Sequence, residues 1–84
     1  MKVSTPQELT QRLIDYLLAA ESTDDMRKVL RGLLTPSELT VISTRLEIAR
    51  LIKEGMTQRE IAKTLGVGIA TVTRASNEIK AGNL

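Results

Sequence analysis

The sequence contains no cysteine and no histidine, and Tyr16 is its single aromatic residue. Without cysteine, disulfides and thiolate metal sites are excluded, and secretion finds no support. No apolar run approaches the roughly 18–20 residues of a membrane span. Met1–Lys2–Val3 also leads into no signal-peptide core. We therefore expect a cytoplasmic protein with no membrane partner and no metal.

The residue types and motifs that commonly serve catalysis are also scarce in the sequence. Besides lacking histidine and cysteine, the chain has no glycine-rich phosphate loop and no cluster of residue types with metal-ligand spacing. Its carboxylates are scattered over predicted helix caps and solvent-facing positions, whereas general acid–base catalysis needs paired acids in a cleft. The sequence thus predicts that the protein is not an enzyme and requires no cofactor.

What is present is a small, aliphatic, helix-forming chain. Its 84 residues are 42% hydrophobic, which suits a core of leucine, isoleucine, valine, alanine and methionine packed between helices. A chain this short buries only about 60–65% of its unfolded surface. We expect one all-α domain over residues 1–84, with a partner chain completing its core.

Charge is unevenly distributed. Residues 1–44 hold five Lys/Arg and six Asp/Glu, a net charge of −1, whereas residues 45–84 hold seven and four, a net of +3. A basic C-terminal half is typical of a protein that binds phosphate groups. An ordinary solvated surface explains the same numbers, so charge alone leaves both readings open.

Three predicted helix N-caps lie in the first two-thirds of the chain. Thr5–Pro6–Gln7–Glu8 and Thr35–Pro36–Ser37–Glu38 each combine an N-cap hydroxyl, a proline at N1 and a glutamate at N3, and Ser22 precedes two acids. The apolar spacing that follows each cap predicts helices over about 6–20, 24–33 and 36–54. Gly55 is placed to end the third.

The segment from Thr57 to Lys80 has the spacing of a helix-turn-helix. Thr57 and Glu60 form another capping box. Gly66 occupies the turn, where glycine adopts a positive φ at low cost. Val67 follows and is expected to pack into the interior beneath the turn, and Val72 is expected to face inward from the second helix. These choices suit two helices that meet at roughly 90–120° through a three- or four-residue turn.

In such a unit the second helix presents its N-terminal residues to the major groove. Ile69 and Ala70 would make methyl contacts, most readily to thymine, so water bridges and DNA shape are left to contribute specificity. Arg59 is the best candidate for a guanine or phosphate contact, although it could be a solvated charge in the cap region. The candidate DNA contacts are Gln58, Arg59, Lys63, Gly68, Ile69, Ala70, Thr71 and Thr73, with Lys53 as a further phosphate candidate.

Several stretches resemble the Trp repressor superfamily. They are Leu34-Thr-Pro-Ser-Glu38, Thr44-Arg45, Met56-Thr-Gln-Arg-Glu60 and Gly68-Ile-Ala-Thr-Val-Thr-Arg-Ala-Ser-Asn77. The short join after Arg50 is more similar to the YerC/YecD-like group of that superfamily. The resemblance covers roughly residues 33–81. It implies an intertwined homodimer in which the helices of residues 1–55 share one core, and two helix-turn-helix units spaced about one turn of DNA apart.

The resemblance also implies an effector pocket for L-tryptophan. By this likeness Arg45 would meet the ligand's carboxylate, Arg74 would stack on the indole, and Thr35 would help to close the pocket. Two residues depart from the family pattern: Ala75 replaces a glycine beside the stacking arginine, and Glu78 replaces a serine near the ligand's amino group. The sequence also ends at Leu84, without a stretch that matches the repressor's last helix.

These departures leave alternatives open. The methyl group of Ala75 would intrude on the space for an indole. Glu78 could pair with a ligand's ammonium group, or with one of the two arginines and so shut the site. Arg74 could instead contact phosphate. The effector is therefore tryptophan, another small molecule or none. The principal alternative for the whole protein is a helical dimer that binds another protein rather than DNA.

Overall fold

A computed structural model describes residues 4–84, and within that range the chain forms five α-helices and no strand. The helices are α1 (Pro6–Leu18), α2 (Thr23–Leu33), α3 (Pro36–Lys53), α4 (Gln58–Leu65) and α5 (Ile69–Lys80). The predicted all-α class is confirmed, and the predicted bounds agree to within two residues. The interpretation of Met1–Lys2–Val3 falls outside the described residues.

The predicted caps form hydrogen bonds at the starts of three helices. The Thr5 hydroxyl accepts a bond from the Glu8 amide, and the Ser22 hydroxyl accepts one from the Asp25 amide. At α4 the box is reciprocal: the Thr57 hydroxyl accepts from the amide of Glu60, whose carboxylate accepts from the amide of Thr57. Each such cap satisfies a backbone donor that the helix itself cannot.

The chain divides into two compact units, residues 1–36 and 37–84. The first contains α1 and α2, neither of which has a buried residue. Several of its large apolar side chains are instead exposed, namely Leu9, Leu13, Ile14, Tyr16, Leu18 and Leu33. An apolar stripe of this kind is typical of a helix that packs against another element.

The second unit is built around one aliphatic cluster. Ile48 of α3, Ile61 of α4 and Val72 of α5 have no exposed surface. Leu51 and Ala75 complete the cluster, and partly buried side chains pack around it, namely Ile52, Met56, Ala62, Leu65 and Val67. The second half of α3 therefore shares its core with the helix-turn-helix. The family resemblance had implied that this helix would share a core with α1 and α2. The single-domain organisation of residues 1–84 stays a prediction.

The connection between α4 and α5 has three residues. Gly66 adopts a left-handed conformation with φ of 67° and ψ of 35°, which a residue with a Cβ reaches only at a cost. The chain then reverses so that the Val67 amide donates to the Ala62 carbonyl at 3.0 Å. Val67 is half-buried against the core. The positive φ expected at Gly66 and the inward position of Val67 are both confirmed.

Candidate nucleic-acid interface and adjoining pocket

The predicted DNA contacts lie on the outside of the helix-turn-helix. Gln58, Arg59 and Lys63 belong to α4, Gly68 is the N-cap of α5, and the others lie in the first half of α5, namely Ile69, Ala70, Thr71 and Thr73. All are exposed except Gln58, which is half-buried. The structure thus leaves these side chains accessible, while their role in binding DNA stays a prediction.

Two of the predicted contacts bind each other. The Thr73 hydroxyl donates to the Gln58 side-chain carbonyl at 2.8 Å, across fifteen residues of sequence. This bond connects the first turn of α4 to α5. It therefore helps to set the angle at which the second helix is presented, and it engages the Gln58 carbonyl oxygen within the protein.

The N-terminal end of α5 combines backbone donors with apolar side chains. Its N-cap, Gly68, supplies no side-chain hydrogen bond, and the first amides of any α-helix lack an intrahelical carbonyl partner. The helix dipole also favours negative charge at this end. Ile69 is 53% exposed beside these donors. The end of α5 can therefore offer hydrogen bonds to a phosphate and methyl groups to a base.

The arginines of the second unit differ in their pairing. Arg50 binds the carboxylates of Glu47 and Glu54 on its own helix. Its hydrogen bonds to Glu47 lower the pKa of that carboxyl below the ordinary value. Among residues 4–84, Arg59 forms no hydrogen bond or ion pair. Arg50 is therefore neutralised locally, whereas the charge of Arg59 remains available to an anion.

A pocket of about 290 Å³ lies between α3 and α5. Arg45 projects from α3, and most of the remaining lining comes from α5, with one residue from the C-terminal tail. The lining residues are Arg45, Ala70, Thr71, Arg74, Ala75, Glu78 and Leu84. Four of the five predicted effector residues thus line one cavity, while Thr35 belongs to the other unit and its part in a pocket stays a prediction. Ala70 and Thr71 are shared with the predicted DNA contacts.

Charge is distributed unequally within this pocket. Within the described chain, neither Arg45 nor Arg74 has a hydrogen-bonding or acidic partner, and both side chains are exposed. The Glu78 carboxylate instead accepts a hydrogen bond from the Asn83 side-chain amide at 2.8 Å. The alternative in which Glu78 pairs with one of the two arginines is therefore not seen, and the two guanidinium groups remain free to bind an anion.

Ala75 serves the core as well as the pocket. It is 4% exposed and belongs to the aliphatic cluster with Ile48, Ile61 and Val72. Its Cβ therefore occupies space between α5 and the core. The pocket wall at this position is therefore formed by a residue of the core.

Two residues of the tail were missed by the sequence reasoning. Leu84 lines the pocket, and Asn83 binds Glu78. Neither belongs to a recognisable motif, and both lie beyond the last apolar repeat of α5. The one available signal was Gly82, since a glycine after a helix often marks a left-handed turn that folds the chain back; its φ here is 82°.

The fold and the surface together define a helix-turn-helix protein with a small arginine-bearing pocket behind its second helix. The sequence matches the profile of the family described as Trp repressor protein over residues 7–83. The chain belongs to that family.

Curated relatives agree with this assignment. A Trp operon repressor homolog of Vibrio atlanticus is 40% identical over 72 residues, which cover 84% of this chain and 74% of the relative. Another, from Photobacterium profundum, is 42% identical over a stretch that covers 83% of this chain and 69% of the relative. A third, from Xylella fastidiosa, is 34% identical over a stretch that covers 93% of this chain and 86% of the relative.

The described residues contain neither a membrane-spanning helix nor a metal-binding cluster. No helix within residues 4–84 is both long and apolar enough to cross a bilayer. That same range contains no group of three or more His, Cys, Asp or Glu side chains arranged to hold a metal ion.

Proposed function

We propose that this protein is a sequence-specific DNA-binding transcriptional regulator, acting as a repressor, that reads the major groove with α5. The observation that carries the proposal is the accessible face of the helix-turn-helix. There the exposed first turn of α5 lies in the same unit as Arg59, which has no acidic partner among residues 4–84. Membership of the Trp repressor family and the relatives' name, Trp operon repressor homolog, support this function over catalysis.

The exposed side chains of the helix-turn-helix suggest how the protein would recognise a DNA sequence. Ile69 and Ala70 can contact thymine methyl groups, while Thr71 and the first amides of α5 approach phosphates. Arg59 supplies either a guanine contact or a phosphate contact. Since methyl contacts discriminate weakly, water bridges and the deformability of the DNA would contribute much of the specificity.

DNA binding at low salt is the direct test of this function. We expect duplex DNA to bind the full chain, with log K falling steeply and linearly against log salt because about four to eight phosphate contacts release counterions. Fluorescence anisotropy from low to physiological salt measures that slope. Selection of bound sequences from random duplexes then identifies the operator.

Failure of every duplex to bind at low salt would reject the proposal. The alternative would then be a helical dimer that binds another protein. The exposed apolar side chains of α1 are the observation that favours it.

We also propose that the protein works as a homodimer. Neither helix of the first unit has a buried residue, and α1 exposes Leu9, Leu13 and Ile14. Faces of this kind are stabilised when a second chain covers them. A second copy would also duplicate the helix-turn-helix, as paired half-sites in DNA require.

Sedimentation velocity tests the dimer. At micromolar concentration we expect a single species of twice the chain mass of 9.2 kDa, because the chain alone leaves too much apolar surface exposed. A monomer that retains full helical circular dichroism under the same conditions would refute the shared core.

We infer further that the pocket binds a small effector. Arg45 and Arg74 would receive a carboxylate, and L-tryptophan is the first ligand to test because of the family relationship. The lining leaves room for a different ligand, since Ala75 narrows one wall and Glu78 adds a negative charge. No cofactor is needed for DNA binding in this proposal.

A further inference from the structure

A hydrogen bond between α4 and α5 controls the orientation of one side-chain amide. The Thr73 hydroxyl donates to the Gln58 side-chain carbonyl oxygen at 2.8 Å, a distance typical of a well-formed O–H···O bond. A free glutamine side chain samples many rotamers, and a bond of this kind restricts it to few of them. Gln58 is therefore held in a defined orientation in the protein alone.

The same bond divides the hydrogen-bonding capacity of the two side chains. A threonine hydroxyl has one proton, whereas a glutamine amide has two protons on its nitrogen and an acceptor oxygen. Thr73 uses its proton on Gln58, so it has none left for a phosphate. Gln58 keeps both amide protons, because its Nε2 atom has no hydrogen-bond partner among residues 4–84. The pair therefore offers DNA two donors on Gln58 and none on Thr73.

The unpaired amide nitrogen is open to solvent. Gln58 is half-buried as a whole. Within residues 4–84, however, no half-buried or buried residue has a buried side-chain nitrogen or oxygen without a hydrogen-bond partner. Since Nε2 has no partner, it is not buried. Thr73 lies one helical turn after Ile69 on the same side of α5, so the amide of Gln58 lies next to the predicted DNA contacts of that helix.

We propose that the Gln58 amide donates a hydrogen bond to DNA, and that Thr73 is a positioning residue that acts through Gln58. The inference rests on the DNA-binding function proposed above, and it assigns Thr73 a different role from the direct contact predicted from the sequence. A bidentate contact with adenine uses the carbonyl and the amide of a glutamine together. The carbonyl of Gln58 is already engaged, so its amide acts as a donor alone, to a phosphate oxygen or to an acceptor atom on a base edge.

A double-mutant cycle tests whether Thr73 acts through Gln58. In anisotropy titrations of the full chain with the selected operator, we expect Gln58→Ala to weaken binding about five- to twentyfold, because one hydrogen bond is lost. Thr73→Val replaces the hydroxyl with a methyl group, and we expect it to weaken binding about three- to tenfold on its own. In the Gln58→Ala background it should have no further effect. Equal losses from Thr73→Val in both backgrounds would show that Thr73 contacts DNA itself, and would overturn the proposal.

Two further variants control for the chemistry of the substitution. Thr73→Ser keeps the hydroxyl, and we expect it to bind the operator within about twofold of the parent chain. Thr64→Val makes the same change as Thr73→Val at an exposed position of α4 that is not among the predicted contacts, and it should leave binding unchanged. Thermal unfolding should differ little among these variants, since the altered side chains lie outside the aliphatic cluster.

NMR of the Gln58 side-chain amide separates a contact with DNA from a bond that only joins two helices. The two amide proton signals are assigned by their absence in Gln58→Ala. At saturating operator we expect one of them to move downfield and to exchange more slowly with water, because it donates to DNA. If both signals keep the positions and exchange rates of the free protein, Gln58 serves only to connect α4 to α5 and the proposal is wrong.

The acceptor on DNA is identified by comparing the operator with a scrambled duplex. A lower ratio of operator to scrambled affinity in Gln58→Ala indicates a base edge, and an equal loss on both duplexes indicates a phosphate. If Gln58→Ala binds both duplexes as the parent chain does, the donor role is rejected while the DNA-binding function stands. If the parent chain binds no duplex at low salt, that function is rejected and this inference with it.

Discussion

Replacing Ile61 with alanine is expected to lower the free energy of unfolding by about 3 kcal/mol, within the range of roughly 2–5 kcal/mol for large-to-small changes in a core. Ile61 has no exposed surface and contacts a cluster to which α3, α4 and α5 all contribute. Its loss leaves a cavity that few neighbours can fill, because this cluster is small. Urea denaturation followed by circular dichroism at fixed chain concentration measures the change.

The matched control is Ile69→Ala, which makes the same chemical change on the neighbouring helix. Ile69 is 53% exposed, so its truncation should alter stability by no more than about 0.5 kcal/mol. It should instead weaken binding to the selected operator, since its methyl groups are proposed to contact bases. Equal destabilisation by the two variants would show that the core is not where the structure places it.

Replacing Arg59 with alanine is expected to weaken specific DNA binding by about 1–3 kcal/mol, or roughly 5- to 150-fold. Arg59 is exposed in the first turn of α4 and has no acidic partner in the part of the chain that the structure describes. Its full charge is therefore available to DNA. Anisotropy titrations of the operator and of a scrambled duplex measure the effect, and thermal unfolding should be nearly unchanged.

Arg31→Ala provides the control for charge. It removes the same charge from an exposed position of α2, outside the helix-turn-helix. We expect it to change operator binding much less than Arg59→Ala. The ratio of operator to scrambled affinity decides the role of Arg59: a lower ratio indicates a base contact, and an equal loss on both duplexes indicates a phosphate contact. If the two variants lose affinity equally, Arg59 has no special part in binding.

Most helix starts could be predicted from the sequence because they depend on a few neighbouring residues. Thr5, Ser22 and Thr57 each accept the predicted class of backbone hydrogen bond. The turn was predictable for a similar reason, since the positive φ at Gly66 is a local property that favours glycine. The inward position of Val72 followed from apolar spacing along one helix face.

The candidate site was predictable only in part. The spacing of the helix-turn-helix places the predicted DNA contacts on the outside, and the family resemblance predicted roles for Arg45, Arg74, Ala75 and Glu78. Their partners were not predictable. Glu78 is engaged by Asn83 rather than by an arginine, and that choice depends on how the chain turns after α5.

The sequence by itself determined the all-helical class, the caps and the helix-turn-helix, because each follows from short-range hydrogen bonding, backbone conformation and apolar periodicity. Only the tertiary structure decided that the second half of α3 shares its core with the helix-turn-helix, and that Thr73 binds Gln58. It also decided that Leu84 lines the pocket. These contacts join residues that are distant in sequence or lie outside any periodic pattern, so they depend on how the helices pack together.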